Sequence, residues 1–196
     1  MTDAKFTKDS NPGPVASARI VFARQKAFAE HALDQLNDEQ FFTAIAPGLN
    51  APAVVVQHLA GNLFSRWTDF FTTDGEKPTR DRDAEFEPPQ PAPGERAGVR
   101  ARIMQQWEGG WQVLFAALDE MAEADLTRVV TIRAVEHSVA LAIARQLDHY
   151  AFHVGQLNVI ARFMVGTERW KWFTLPPGGT KAFNEQLRSR CDENRS

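Results

Sequence analysis

Apolar residues recur at spacings of three and four along four long stretches of this chain, which is the signature of amphipathic helices. The first predicted helix runs from about Val15 to Leu36, with Ile20, Ala23, Ala27, Ala32 and Leu36 as apolar positions among charges. A connection, LNDEQFFTAIAPGLN, follows and stops at Pro47-Gly48. The second helix is expected to start near Asn50 as N-cap, with Pro52 in its first turn, and to continue to about Thr72. Thr73–Gly94 carries five prolines and no helical period, so it reads as a long connection. A third helix is predicted over about Glu95–Met121 and a fourth over about Ser138–Val165. Between them, LTRVVTIRAVEHS holds two short extended pieces, Arg128–Ile132 and about Val135–His137. The region after the fourth helix, ERWKWFTLPPGGTKAFNEQLRSR, reads as mostly irregular, with a turn at Gly178-Gly179.

Four long helices with little strand predict an all-α fold, a four-helix bundle forming a single domain over residues 1–196. Connection length sets the topology. Short links favour antiparallel neighbours, whereas Thr73–Gly94 is long enough to cross the bundle and leave helices two and three parallel. The expected order is up-down-down-up, with a long crossover between helices 2 and 3 and a short extended segment before helix 4.

The fourth helix carries the most informative pair. His149 and His153 sit four apart in RQLDHYAFHVGQLNVIARFMVG, so both project from one face with Cβ atoms about 6 Å apart. Two imidazoles so placed can share one divalent transition metal. A lone HxxxH is a weak signal; this one lies in an otherwise apolar helix, where an unpaired polar ring is costly. Ala142 and Ile160 extend the same face, and Gln146 and Gln156 flank it, so the stripe is polar in its middle and apolar at its ends. Leu141, Ile143, Leu147, Phe152, Leu157 and Phe163 occupy the other faces.

The second helix has a matching stripe: His58, Asn62, Ser65 and Asp69 share a face, while the rest of it is apolar almost all round. Asp69 lies about 16 Å along the axis from His58, too far to share an ion with it. His58 is therefore the candidate third ligand beside His149 and His153. Three protein ligands leave a position open, the usual arrangement of a catalytic metal. The competing reading keeps the histidines apart, each hydrogen-bonded on its own. Asn62, Gln146 and Gln156 are candidates for contact with substrate or for holding the outer nitrogen of a ligating ring.

The remaining motifs carry less. His31 falls among charges and reads as solvated, and His137 as a turn or cap residue. In TDGEKPTRDRDAEF, Arg80 and Arg82 could clamp a substrate, but a crossover held by Asp and Arg pairs is the favoured reading. Gly61 beside Asn62 would allow close helix approach, and Trp107 and Trp111 read as core or pocket wall. Trp170 and Trp172 are placed over the bundle mouth, and Asp148 points away from His149. No Ser-His-Asp constellation, phosphate-binding loop or CxxC pair is present, and no catalytic residue is assigned.

Hydrophobic and charged contents of 43% and 24% are ordinary for a globular protein. A net charge of -3 leaves no broad basic surface to favour nucleic acid. No apolar run reaches membrane-spanning length, and Met1–Ser10 lacks a signal-peptide core. Cys191 is the only cysteine, so no internal disulfide forms; this fits a cytoplasmic location.

Four segments resemble the DinB/YfiT-like superfamily of metal-dependent enzymes, within it a branch described as a domain of unknown function. They are HLAGNLFSRWTDFFTTDGEKPTRDRDAEF (His58–Phe86), WEGGWQVLFAALDEM (Trp107–Met121), TIRAVEHSVALAIARQLDHYAFHVGQL (Thr131–Leu157) and LPPGGTKAFN (Leu175–Asn184). The stretch before His58, APAVVVQ, departs from the superfamily's usual start. The resemblance implies a four-helix bundle with a three-histidine metal site, its ligands falling on His58, His149 and His153. It also implies zinc or nickel as the metal, a homodimer, and a low-molecular-weight thiol as cosubstrate, as in bacillithiol transfer or mycothiol-dependent isomerisation. The expected function is thus a metal-dependent enzyme acting on a small molecule, by thiol-dependent S-transfer or by hydrolysis. The alternative is a non-catalytic metal- or small-ligand-binding bundle, and a third reading is a structural dimer whose histidines merely join two helices.

Overall fold

The computed structural model describes residues 12–193, so the polar stretch Met1–Ser10 lies outside the described residues. The elements run α1 (Pro14–Leu33), α2 (Asp38–Phe42), α3 (Pro52–Trp67), α4 (Arg96–Asp119), β1 (Val129–Ile132), β2 (Val135–Ser138), α5 (Val139–Val165) and α6 (Thr180–Glu193). The long helices α1, α3, α4 and α5 form a four-helix bundle.

Side-chain pairings fix the helix directions. Arg19 pairs with Asp119 and Lys26 with Glu108, while Arg100 reaches the Leu33 carbonyl, so α4 runs antiparallel to α1. The amide of Gln25 donates to the Leu147 carbonyl, and His31, further along α1, meets Lys171 beyond α5, so α1 and α5 run parallel. On α3, His58 packs on His153 whereas Trp67 meets Tyr150, which sets α3 antiparallel to α5. The order is up-down-down-up, as the long crossover implies.

Aromatic rings join the four helices. Phe22 of α1 is fully buried and packs edge-on against Trp67 of α3 and Trp111 of α4, and tilted against Tyr150 of α5, at centroid distances of 5.9, 6.5 and 5.7 Å. Trp107 and Trp111 are core residues; Trp107 also donates its indole N–H to Glu30. Glycine sets the α3–α4 spacing, but on α4: a Cβ at Gly110 would stand 2.8 Å from that of Leu63.

Several local features differ from the sequence expectations. The buried face of α1 is Val15, Ala18, Phe22, Ala29, Ala32 and Leu33, while Ile20 is exposed; the apolar period runs through Phe22. The segment after it is not wholly irregular. Asn37 caps α2 in a reciprocal capping box with Gln40. Asn50 is not the N-cap of α3; Ala51 is, and Pro52 at the first position needs no N–H partner. The helix ends at Trp67 rather than Thr72, because Thr68 turns extended and Asp69 takes a φ of 49°. Asp69 is thus off the helix and off its stripe.

Two anchors hold the crossover. The Ser65 hydroxyl donates to the Gly75 carbonyl and accepts from the Lys77 N–H. The Asp74 carboxylate accepts from the backbone N–H groups of Glu76, Arg133 and Ala134, gripping the β1–β2 turn. That hairpin pairs Val129 with Ser138 and Ile132 with Val135, close to the extended pieces expected. Ser138 then caps α5 by accepting from the Leu141 N–H.

After α5, Gly166 leaves the helix at a φ of 83°. Trp170 is buried and Trp172 lies under Arg162. His31 is not simply solvated. Its ring bonds the Lys171 carbonyl and packs on Trp170 and Phe173, tying α1 to this segment. A helix, α6, stands where irregular chain was expected; its strongly polar residues hid the period. The Cys191 side chain lies outside the described residues.

Candidate metal centre

The stripes on α3 and α5 face each other. Ala142, Gln146 and Ile160 are buried along the α5 stripe, and His58, Asn62 and Ser65 along that of α3. At the centre of this seam His58, His149 and His153 come together, offering one ring nitrogen each within 4.8 Å of one another. The Nε2 atoms of His58 and His149 stand 3.2 Å apart.

The outer nitrogens show how the rings are held. His58 donates its Nδ1–H to Glu85 Oε2 at 2.9 Å, and His153 donates its Nδ1–H to Gln156 Oε1 at 2.8 Å. Each bond leaves that ring's Nε2 free of the neutral ring's proton and turned to the cluster. His149 differs, since its buried Nδ1 has no partner among the described residues. Phe86 covers His58 at a centroid distance of 4.6 Å.

Electrostatics favour the neutral form of the two α5 rings. Burial, reinforced by His153 and His58, pushes the His149 pKa down to about 3. Burial also lowers that of His153, against the opposing hydrogen bond to Gln156. Burial alone would raise the Glu85 carboxyl, but hydrogen bonds from His58 and Arg80 outweigh it and hold Glu85 below its ordinary value. Three imidazoles with converging ring nitrogens are a donor set that zinc, nickel and similar ions accept. The cluster is therefore capable of coordinating a metal ion.

The surroundings continue down the seam. The buried Tyr150 hydroxyl donates to Asn62 Oδ1 at 3.1 Å and accepts from the Trp67 indole N–H at 3.1 Å. Gln146 is buried with its Oε1 unpartnered. Arg66, one turn beyond Asn62, is buried with Nε and Nη1 unpartnered, and its nearest carboxylate is Glu76 at 3.9 Å.

The crossover supplies a residue that periodicity could not reveal. Glu85, 27 positions from His58, reaches its ring from a short 3-10 turn, Ala84–Phe86. Arg80 binds Glu85 through two contacts of 2.7 Å and also meets Glu76, so it acts within the folded crossover rather than as a free clamp. Arg82 is half exposed and stacks on Phe86. The pairs that hold this segment join Arg to Glu, whereas the expectation was Asp and Arg. His137 stands apart from the cluster: it donates Nδ1–H to the Val135 carbonyl and accepts from Arg145.

A groove of about 390 Å³ lies elsewhere, between α1 and α5, and its walls are apolar (Ala18, Val21, Leu126, Ile143, Leu147). A hollow of about 320 Å³ backs onto Glu85, with Gln57, Gly61, Phe64 and Gln106 among its walls.

An all-α bundle with three convergent histidines on two helices defines a class of metal-binding proteins. The chain belongs to the family described as protein of unknown function (DUF1572), whose model matches residues 14–179. That family is a member of the broader DinB/YfiT-like metal-binding superfamily. No curated protein matches the chain.

Proposed function

We propose that the protein is a metal-dependent enzyme whose divalent ion, zinc or nickel, is held by His58, His149 and His153 and which acts on a small molecule. The observation that carries this reading is the convergence of three ring nitrogens within 4.8 Å. An ion bound by three protein ligands keeps a position open and lowers the pKa of a bound water or thiol, giving a nucleophile near neutral pH. The reaction class is transfer to a low-molecular-weight thiol, or hydrolysis. Glu85 is the carboxylate that touches the cluster, and it is engaged by His58 and Arg80. This leaves it poorly placed as a general base and favours a thiol mechanism, which needs less proton shuttling.

Residues around the cluster have separable roles in this reading. Gln156 fixes the His153 ring. Asn62, its carbonyl occupied by Tyr150, has its amide N–H groups left to donate to a substrate atom. Gln146 Oε1 and His149 Nδ1, both buried and unpartnered on one helix, are available to a buried water or a substrate group. The same engagement of Glu85 also supports a second reading, a bundle that binds metal or a small ligand without turnover.

The second copy of the chain belongs to the proposal as well. Phe152, Val159 and Phe163 lie on the outer face of α5 and are 62%, 67% and 70% exposed, an apolar stripe suited to pairing in a homodimer. Among the described residues, no helix is long and apolar enough to cross a membrane. A cytoplasmic enzyme is the reading that fits a thiol cosubstrate.

The test is elemental analysis of untagged protein purified without chelators, beside a His58→Ala/His153→Ala control. The expected result is a single ion per chain that is absent from the control, followed by turnover in a thiol-transfer screen. No metal after incubation with zinc, nickel and manganese overturns the metal reading. Metal without turnover of any thiol or hydrolysable substrate favours the second reading.

A further inference from the structure

The crossover reaches the cluster through Glu85 and Phe86, and the helix beneath is shaped to receive the carboxylate. Gly61 lies on α3 one turn after His58, in the helix interior, where glycine is less favourable than alanine by roughly 0.5–1 kcal/mol. Its missing side chain is occupied space. A Cβ built there would stand 2.0 Å from Glu85 Oε1 and 2.6 Å from its carboxyl carbon. Glu85 therefore rests directly on the α3 backbone. From that seat one carboxylate oxygen accepts the His58 Nδ1–H, and Arg80, itself buried, grips the carboxylate through Nε and Nη2. Arg80 is fixed in turn by Glu76, next to the anchors at Ser65 and Asp74.

We propose that Glu85, seated on Gly61 and held by Arg80, is a positioning residue that sets the ring orientation and tautomer of His58 and thereby the metal affinity of the three-histidine cluster. The proposal rests on the reading of that cluster as a metal site. The physical argument has two parts. A carboxylate accepting from Nδ1–H excludes the tautomer that would carry its proton on Nε2, the nitrogen that faces His149. It also makes the imidazole a stronger donor; loss of such an outer partner typically costs about 10–100-fold in metal affinity. The three rings are unequally supported, His58 by a charged acceptor, His153 by a neutral one and His149 by none. The strongest support thus falls on the ligand from the helix that contributes only one.

Gly61→Ala separates this role from general stability. It removes a helix-interior glycine, which favours α3, but it displaces the end of the Glu85 side chain. The experiment measures zinc affinity by chelator competition for the full-length wild type, Glu85→Ala, Glu85→Gln and Gly61→Ala. Beside it, nitrogen-15 correlation spectra of the metal-free proteins, taken at mildly alkaline pH, report the His58 tautomer.

The expected result is a fall in affinity of about 10–100-fold for Glu85→Ala and Gly61→Ala. The fall is smaller for Glu85→Gln, which keeps a neutral acceptor. His58 is expected as the Nδ1–H tautomer in the wild type and as a mixture in Glu85→Ala. Wild-type affinity in Glu85→Ala and Gly61→Ala, or an unchanged His58 tautomer in Glu85→Ala, overturns the role of Glu85 while leaving the metal site standing. A wild type that binds no zinc overturns the metal reading and the affinity claim with it, whereas the tautomer spectra still decide whether Glu85 orients His58.

Discussion

The two sides of the bundle are built on opposite principles. Where α1 meets α4, the core is aromatic and aliphatic: Phe22, Trp107, Trp111, Leu114 and Leu118 are buried, and ion pairs such as Arg19–Asp119 lie at the edge. Where α3 meets α5, the seam holds His58, Asn62, Arg66, Gln146 and Tyr150, all buried. Burying polar groups costs free energy unless each finds a partner, and here several atoms have none. A seam of this kind is a poor way to stabilise a bundle and a good way to hold an ion or a polar ligand. The aromatic side contributes apolar burial, whereas the α3–α5 side gives some of it up to house the three-histidine cluster.

Variants on the two sides should separate stability from metal binding. The largest loss of stability is expected on the aromatic side. Trp111→Ala empties the space between Phe22, Trp107 and Tyr150 and should cost about 3–5 kcal/mol in denaturant unfolding. The folded fraction should still bind its ion. A loss below about 1 kcal/mol would show that the aromatic side is not the mainstay.

His58→Ala and His149→Ala should do the reverse, losing metal while far-UV circular dichroism stays that of a helical bundle. Normal metal content in both variants would remove these residues from the ligand set.

Acidity sharpens the same contrast. The His149 pKa is lowered from 6.5 to about 3 in the folded protein, so between those values the unfolded chain binds the proton that the folded chain refuses. Stability contributed by neutral His149 is fully present above 6.5 and is lost as pH falls toward about 3. Denaturation midpoints of the metal-free protein measured against pH should decline less steeply in His149→Ala than in wild type. Equal slopes would contradict the depressed value.

The smallest effect is expected outside both seams. Arg133 and Ala134 take φ values of 54° and 59° in the β1–β2 turn, where side chains other than Asn, Asp or Gly are strained. Ala134→Gly should stabilise the protein by about 0.5 kcal/mol and leave metal affinity unchanged, the relief of strain exceeding the entropy of the added glycine. A thermal shift in the opposite direction would show that the turn is not strained.

The contrast between the two seams also marks what could be read in the sequence. His149 and His153 are visible because helical geometry places i and i+4 side by side, and His58 because α3 is otherwise apolar. Gln156 is visible for the same reason, at three residues from His153. Up-down-down-up order follows from one long crossover among shorter links. Glu85 is not legible, because it comes from a segment without period, and nothing local distinguishes it from Glu76 or Glu87. The glycine that seats it was visible, but its partner was not; Gly61 suggested a neighbouring helix, and the neighbour is a loop carboxylate. Arg66 was hidden in an apolar helix whose C-terminal turn accepts a cation. The end of α3 was misplaced because Phe70 and Phe71 continue the apolar run after the backbone has already turned. The helix α6 escaped notice because an exposed, polar segment presents no face to a core.

The distance along the chain between His58 and His149 gives the cluster a place in time during synthesis. The ribosome completes α3, the crossover and Glu85 long before α5 emerges. His58 can be oriented by its carboxylate while its two partners are still untranslated, and one imidazole is a weak ligand for any ion. The cluster closes only when the last long helix docks, so a nascent chain halted before β2 holds only one of its three rings. A complete cluster thereby requires that all four long helices have been made.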